Sequence, residues 1–263
     1  MHLYLYDSFL YTRNFSKIID GIETRLTDLG LNGPSVVMDL SNKMPILIEK
    51  ELKIGANTIV VIGNDHSITN AINIISRVNP NTLTLNDTAI GMIPIGKNDN
   101  EIAKMLGIDF EINGCEILAK RRLEKIDLGL INNNIHFLTN INFYCDKEVS
   151  IEIDGDYELI INTGANVSII NLATEGIRDV IMKEKINSSP VDGVFEIIIK
   201  DAFNHSFNWL KKKPRLTIVK AKKFKITGVD FINVDNLLKA EKPSTIKNLR
   251  SKIDFIVGKN RGF

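Results

Sequence analysis

The sequence predicts an N-terminal α/β domain with a mostly parallel sheet, followed by a C-terminal antiparallel β-sandwich. Three observations carry this. Thr58-Ile59-Val60-Val61-Ile62 is β-branched throughout, which favours a strand buried on both faces. Strand-like and helix-like segments then alternate up to about residue 108, the pattern of a parallel sheet covered by helices. After Ile112 the chain breaks into many short strand-like runs separated by turn residues, which argues for a sandwich. The boundary is expected at residues 109–115, giving domains 1–112 and 113–263.

Residues 2–6 alternate and carry aromatics, so they read as the first strand, which Asp7-Ser8-Phe9 leaves. Phe15, Ile18, Ile19, Ile22, Leu26 and Leu29 predict a helix over 14–29, closed by Gly30. Ser35 to Leu40 is a short strand, and Met44 to Lys53 a helix closed by Gly55. The β-branched strand ends at Gly63, and Ile68, Ala71, Ile72 and Ile75 continue at helical spacing. Leu83 and Leu85 precede a polar loop, Asn86-Asp87-Thr88. Ala89 to Pro94 is another buried strand, followed by the turn Ile95 to Asn100 and a helix through Ala103, Leu106 and Gly107.

In the second half, strand-like runs are read at 115–122, 124–130, 135–143, 149–153, 157–162, 166–172 and 194–200. Further runs lie at 215–219, 224–227, 231–234 and 253–257. Asp154-Gly155-Asp156 supplies a hairpin signal. Residues 201–213, with Phe203, Phe207, Trp209 and Leu210, predict a single helix.

Composition excludes several classes. At 263 residues with 44% hydrophobic content, a sizeable core is attainable. A net charge of +1 argues against nucleic acid as a partner. Cys115 and Cys145 stand apart without metal-ligand spacing, and the four histidines form no zinc pattern. Reduced cysteines, no apolar run of about 18–20 residues and a start without signal-peptide features point to a cytoplasmic protein.

The chemistry concentrates in two polar turns. Gly63-Asn64-Asp65-His66-Ser67 and Gly96-Lys97-Asn98-Asp99 both leave the carboxyl ends of predicted strands. They are expected on one sheet edge, where such folds bind ligands. A helix start with free backbone N–H groups attracts anions. Asp65 inside such a turn repels a phosphate unless a metal or a transferable proton intervenes, which marks it for chemistry. The plainer alternative is that Asn64, Asp65 and Ser67 cap the helix.

These turns and the segments after them resemble the diacylglycerol kinase catalytic-domain family, which also includes sphingosine kinases. The family's Gly-Gly-Asp-Gly-Thr is matched by Gly63 to Ser67, and its Pro-Leu-Gly-Thr-Gly-Asn-Asp by Pro94-Ile95-Gly96-Lys97-Asn98-Asp99 before Leu106-Gly107. Ile126-Asp127-Leu128-Gly129 with Asn132 and Phe137 resembles the family's entry into its β half. Pro190-Val191-Asp192-Gly193 resembles a later segment, and Val234-Asp235-Asn236-Leu237 keeps only the Asp of an Asp-Gly-Glu motif. Asn64 and His66 replace glycines, Lys97 replaces Thr, and Asp7-Ser8-Phe9 stands where the family has an Asn-Pro loop.

The resemblance implies a nucleotide-binding first domain, a lipid-binding second domain, and transfer of the ATP γ-phosphate to a lipid hydroxyl in the cleft between them. ATP and Mg2+ are the implied cofactors. Asp65 and Asp235 are the implied catalytic and metal-linked carboxylates. Gly63, Asn64, His66, Ser67, Gly96, Lys97, Asn98, Asp99 and Ser41 are the implied nucleotide contacts. A catalytically weak or inactive relative that binds nucleotide or a partner is the alternative; an NAD kinase-like enzyme acting on a soluble alcohol is another. Lys211-Lys212-Lys213-Pro214-Arg215, with Lys220, Lys222, Lys223 and Lys225, offers a contact to an anionic inner-membrane surface. The resemblance leaves a homodimer open.

Overall fold

The computed structural model describes residues 1–12, 15–78, 88–96, 98–201, 216–241 and 244–263. The chain divides into two units: Met1–Ile126 together with Ser251–Phe263, and Asp127–Arg250.

The first unit opens with strand β1 (His2–Asp7) and the short helix α1 (Phe9–Thr12). Helix α2 (Ser16–Asp28) buries Ile19, Ile22 and Leu26, the predicted apolar stripe. Strand β2 (Ser35–Met38), helix α3 (Met44–Ile54), strand β3 (Thr58–Gly63), helix α4 (Asp65–Ile75) and strand β4 (Ala89–Pro94) follow. Every residue of β3 and β4 is buried, as a strand covered on both faces requires. Then come helices α5 (Glu101–Met105) and α6 (Ile112–Lys120), and strand β5 (Leu123–Ile131), along which the chain enters the second unit. The parallel strand order is β2-β1-β3-β4. The returning chain end adds Asp254 and Phe255 beside β4, also parallel.

The second unit is a sandwich. It holds strands β6 (Ile135–Phe137), β7 (Asn140–Cys145), β8 (Val149–Ile153), β9 (Tyr157–Ile161) and β10 (Ala165–Ile170), then helix α7 (Glu175–Lys183). Strands β11 (Phe195–Asp201), β12 (Leu216–Ala221), β13 (Lys223–Thr227), β14 (Phe231–Val234), β15 (Leu238–Glu241) and β16 (Ser244–Ile256) complete it. One sheet runs β12-β11-β10-β7-β14-β15; facing it, the other runs β16-β13-β8-β9. Alternate residues of both, including Phe143, Phe195, Phe224 and Ile246, fill the core between them. Helix α7 covers the outer face of the first sheet at Ile170 and Ile198.

The structure corrects the sequence reading in four places. The first unit extends to Ile126 and reclaims Ser251–Phe263, so the boundary at 112 and an unbroken second domain to 263 do not hold. The reason is that the β16 end completes the parallel sheet instead of the sandwich. Residues 115–122 are mostly helix α6, which buries Cys115, Ile117 and Leu118. Helix α7 escaped notice because only Ile181 is buried on it. The run 135–143 is two strands, broken at Leu138 and Thr139. The predicted helix at 201–213 and Leu83 and Leu85 lie outside the described residues.

Candidate functional site

Parallel pairing puts the carboxyl ends of β1 to β4 on one edge of the first unit's sheet. Residues 7–9, 39–41, 63–67, 95–96 and 98–100 leave from that edge. Strand order reverses between β1 and β3, the switch point where ligands of such sheets bind.

Side chains already bridge the switch point. Ser67 is fully buried. Its Oγ donates to Asp7 Oδ2 at 2.7 Å and accepts from Asn64 N at 2.9 Å. Asn64 Oδ1 accepts from Ser67 N at 3.2 Å, which completes a capping box on α4. Asp7 Oδ1 accepts from Phe9 N at 3.1 Å. A Cβ at Gly63 would collide with Ser67 Oγ and lie 3.2 Å from Asp7 Cβ. Packing therefore demands this glycine. Asn64 has an extended φ of −129°, and Asn64 and His66 are both absent from the left-handed region. Replacing glycine there costs no backbone strain. Asp7 was missed as a site residue by the sequence reading; its position at the end of the strand beside β3 was the available signal.

Asp65 lies at the start of α4, and its carboxylate caps a different helix. Oδ2 accepts from Glu101 N at 2.7 Å and Oδ1 from Ile102 N at 3.0 Å, the first amides of α5. Asp65 N donates to Asp99 O at 2.8 Å, and Ile95 N to Gly63 O at 2.7 Å. These bonds stitch the two turns together. Burial pushes the Asp65 carboxyl up to about 7; the two amides oppose that rise, and neighbouring Glu101 and Asp99 add to it.

The second turn is shaped from inside by Asn100, 1% exposed. Its Nδ2 donates to Gly96 O and Asn98 O at 2.9 Å and to Ile95 O at 3.3 Å. Gly96 has φ +84°, and among the described residues a Cβ built there meets nothing within 4 Å. Asp99, at φ 57°, is exposed. Lys97 lies outside the described residues. Ser41 is exposed, and its Oγ accepts from Lys43 N at 3.3 Å. Gly107 has φ +66°, and its Cβ would meet Asn260 O at 2.7 Å. The Leu-Gly of the sequence motif thus marks where the chain end packs, with Gly258 N donating to Leu106 O at 2.9 Å.

In the second unit the motif residues join one another. Asp127 N donates to Pro190 O at 2.7 Å, and Asp127 Oδ2 accepts from Gly193 N at 2.6 Å. Asp235 is 9% exposed. Its carboxylate accepts from Leu138 N, Thr139 N, Thr139 Oγ1 and Asn140 N at 2.7–3.2 Å. Burial raises its pKa, and the four donors pull it back. Asp235 pins the 138–140 segment, a structural task that the sequence reading did not assign to it.

Neither implied cofactor is equally served. Among the described residues no three His, Cys, Asp or Glu side chains converge on a metal position. A Mg2+ at this edge would be held by one or two carboxylates together with the nucleotide's own phosphates. For ATP, the edge offers exposed His66 and the open side of Gly96. The amides of Asp65, Ser67, Ile68, Glu101 and Ile102 are engaged within the chain.

No protein-family model matches the sequence, and no curated protein does. Solved structures do match. A diacylglycerol kinase from Bacillus anthracis str. Sterne superposes with a TM-score of 0.74 at 16% identity, covering 98% of this chain and 97% of that one. An NAD kinase from Archaeoglobus fulgidus, solved in complex with ATP, reaches 0.57 at 13% identity, covering 98% and 94%. The chain has the diacylglycerol kinase fold, a parallel-sheet unit and an antiparallel sandwich, and the resemblance read from the sequence holds at that level.

Proposed function

We propose that this chain is an ATP-dependent phosphotransferase of the diacylglycerol kinase type. It moves the γ-phosphate of ATP to the hydroxyl of a lipid or lipid-like acceptor. One observation carries the reading. Asp65 sits at the end of a buried strand, half-buried, oriented by two backbone amides, with a pKa near 7. A base is most effective when its pKa lies near the working pH. Each carboxylate oxygen has two lone pairs, so one accepted amide leaves each oxygen a second acceptor position. Asp65 takes the acceptor's hydroxyl proton. That oxygen bonds to the γ-phosphorus while the bond to the β–γ bridging oxygen breaks and ADP departs. His66, Gly96, Asn98 and Asp99 line the same edge for the nucleotide.

Calorimetry with ATP and ADP, with and without magnesium, followed by an acceptor screen, tests this. Asp65→Asn is expected to lower turnover by roughly 10²–10⁴ while nucleotide affinity changes little. Undiminished turnover by that variant overturns the role of Asp65. The screen includes NAD, because an NAD kinase shares the fold.

The second reading is a non-catalytic relative that binds nucleotide or a partner. The engaged amides of both turns favour it. Binding without turnover on any acceptor would establish it. A cytoplasmic protein that touches the inner membrane surface suits a lipid acceptor. Among the described residues no helix is long and apolar enough to cross a membrane. Lys211 to Arg215 lie outside the described residues. Of the rest, Lys220 is tied to Glu196 and Lys225 faces Glu152 at 4.0 Å, which leaves Lys222 and Lys223 exposed for that contact. Flotation with anionic vesicles at low and high salt tests it; absent or salt-insensitive binding ends the idea.

A further inference from the structure

Strands β10 and β11 pair directly, with Ile170 opposite Glu196, yet residues 171–194 leave the sheet between them. Hairpin connections usually take about 2–5 residues. This one carries helix α7 as a strap across the outer face of the sheet. Both ends of the strap are tied to Asp127. At the start, Asn171 Nδ2 donates to Asp127 O and to Leu138 O, both at 2.8 Å. At the finish, Asp127 N donates to Pro190 O, and Gly193 N donates to Asp127 Oδ2. Between these ties the apolar contact is modest. Ile177, Val180, Ile181 and Ile186 of the strap meet Ile170 and Ile198 of the sheet in a cluster separate from the core between the sheets. Of α7 itself only Ile181 is buried.

Beneath the strap lies a charge. Phe195 faces the core between the sheets, so its neighbour Glu196 faces outward, and there it is fully buried. Lys220 stands directly opposite on β12, with its Nζ 2.9 Å from Glu196 Oε1. Ser188 of the strap donates its Oγ to Glu196 Oε2 at 2.6 Å. Lys220 also donates to Asn187 O and lies 3.8 Å from Asp192 Oδ2. The pair is thus the floor to which residues 187–192 are fastened. We infer that residues 172–189 form a strap that opens and closes as a unit on the Asp127 hinge, and that the charge of Lys220 holds it shut. Closing takes Glu196 out of water. A carboxylate tolerates that only with a partner charge and hydrogen bonds. Lys220 supplies the charge, and its side chain stays 39% exposed, so its ammonium keeps contact with water. With Lys220 neutralised, closing would bury a lone carboxylate, and the open strap is favoured. Opening is local, because Asp127, Asn171 and the β10–β11 ladder stay in place. This inference does not depend on the proposed phosphotransferase activity.

Hydrogen exchange of the full chain reads the strap directly. The amides of Arg178 and Glu184, bonded to Thr174 O and Val180 O, report its opening. Those of the β10–β11 ladder report the sheet. Lys220→Met is expected to speed exchange in α7 roughly tenfold or more while ladder protection holds. Glu196→Gln removes the buried charge and keeps an acceptor for Ser188, so its α7 exchange is expected to stay within about twofold of wild type. The double variant Glu196→Gln/Lys220→Met is expected to fall back from the fast rate to that of Glu196→Gln. Trypsin supplies a second measurement, because Lys183 and Lys185 are exposed on the strap. Lys220→Met should be cut there sooner than wild type, with the sandwich strands intact. Wild-type exchange in Lys220→Met, or equal loosening by both single variants, overturns the charge latch. Loss of protection in α7 and in the ladder together overturns the strap as a separate unit.

Discussion

Asp65 and Asp235 are both carboxylates that hold a backbone segment, yet their settings differ. Asp235 is nearly out of solvent and accepts from four donors in its own unit. Asp65 keeps part of its surface, accepts from two amides and sits where two strand ends meet. A buried carboxylate with a full set of donors positions backbone. A half-buried one with spare lone pairs at a sheet's ligand edge can also handle a proton. The motif resemblance implies one role for both residues; their burial and donors differ.

Asp235→Ala is the hardest push on that comparison. It strands the amides of Leu138, Thr139 and Asn140 and the Thr139 hydroxyl in the interior. Buried donors left unpaired cost about 1–3 kcal/mol each, less where the site relaxes. A total loss of about 4 kcal/mol is expected from denaturant unfolding. A loss below 1 kcal/mol would mean that the 138–140 segment holds itself.

Asp65 makes the next largest prediction, through pH. Its carboxyl is raised from 3.8 to about 7 in the folded chain. The folded state then keeps a proton that the unfolded state has already lost. The stability this contributes is complete below the unfolded pKa, falls as pH rises, and is gone above about 7. The fall is expected to be on the order of 2–4 kcal/mol. In Asp65→Asn this part of the profile should flatten. An unchanged slope would assign the titration to another group.

The fold was largely legible because periodicity and glycine placement are local. Gly30 and Gly55 close their helices at φ +67° and +118°, as their positions after apolar stripes predict. Asp154-Gly155 forms the expected hairpin between β8 and β9. The candidate site was legible only as a pair of turns. Which side chains face inward depends on contacts far apart in sequence. Ser67 meets Asp7 sixty positions away, and Asp65 meets Glu101 and Ile102 thirty-six and thirty-seven away. Asp235 reaches Leu138 across ninety-seven. No local pattern encodes such distances. The C-terminal return to the first unit was hidden for the same reason.

Two glycines in matching positions separate packing from backbone conformation. Gly63→Ala drives a methyl into Ser67 Oγ and toward Asp7. Ser67 must shift, which disturbs the capping box and the Asp7 bond together, and about 1–3 kcal/mol of stability is expected to go. Gly96→Ala has open space around the new methyl and only the φ of +84° against it. A left-handed residue costs about 1–2 kcal/mol, so its effect should sit at the low end. Because no described residue fills the space over Gly96, the same methyl intrudes on any nucleotide lying there. Gly96→Ala should therefore cost more in ATP affinity, measured by calorimetry, than in unfolding free energy. Equal losses in both would remove Gly96 from the nucleotide contacts and leave it a turn glycine.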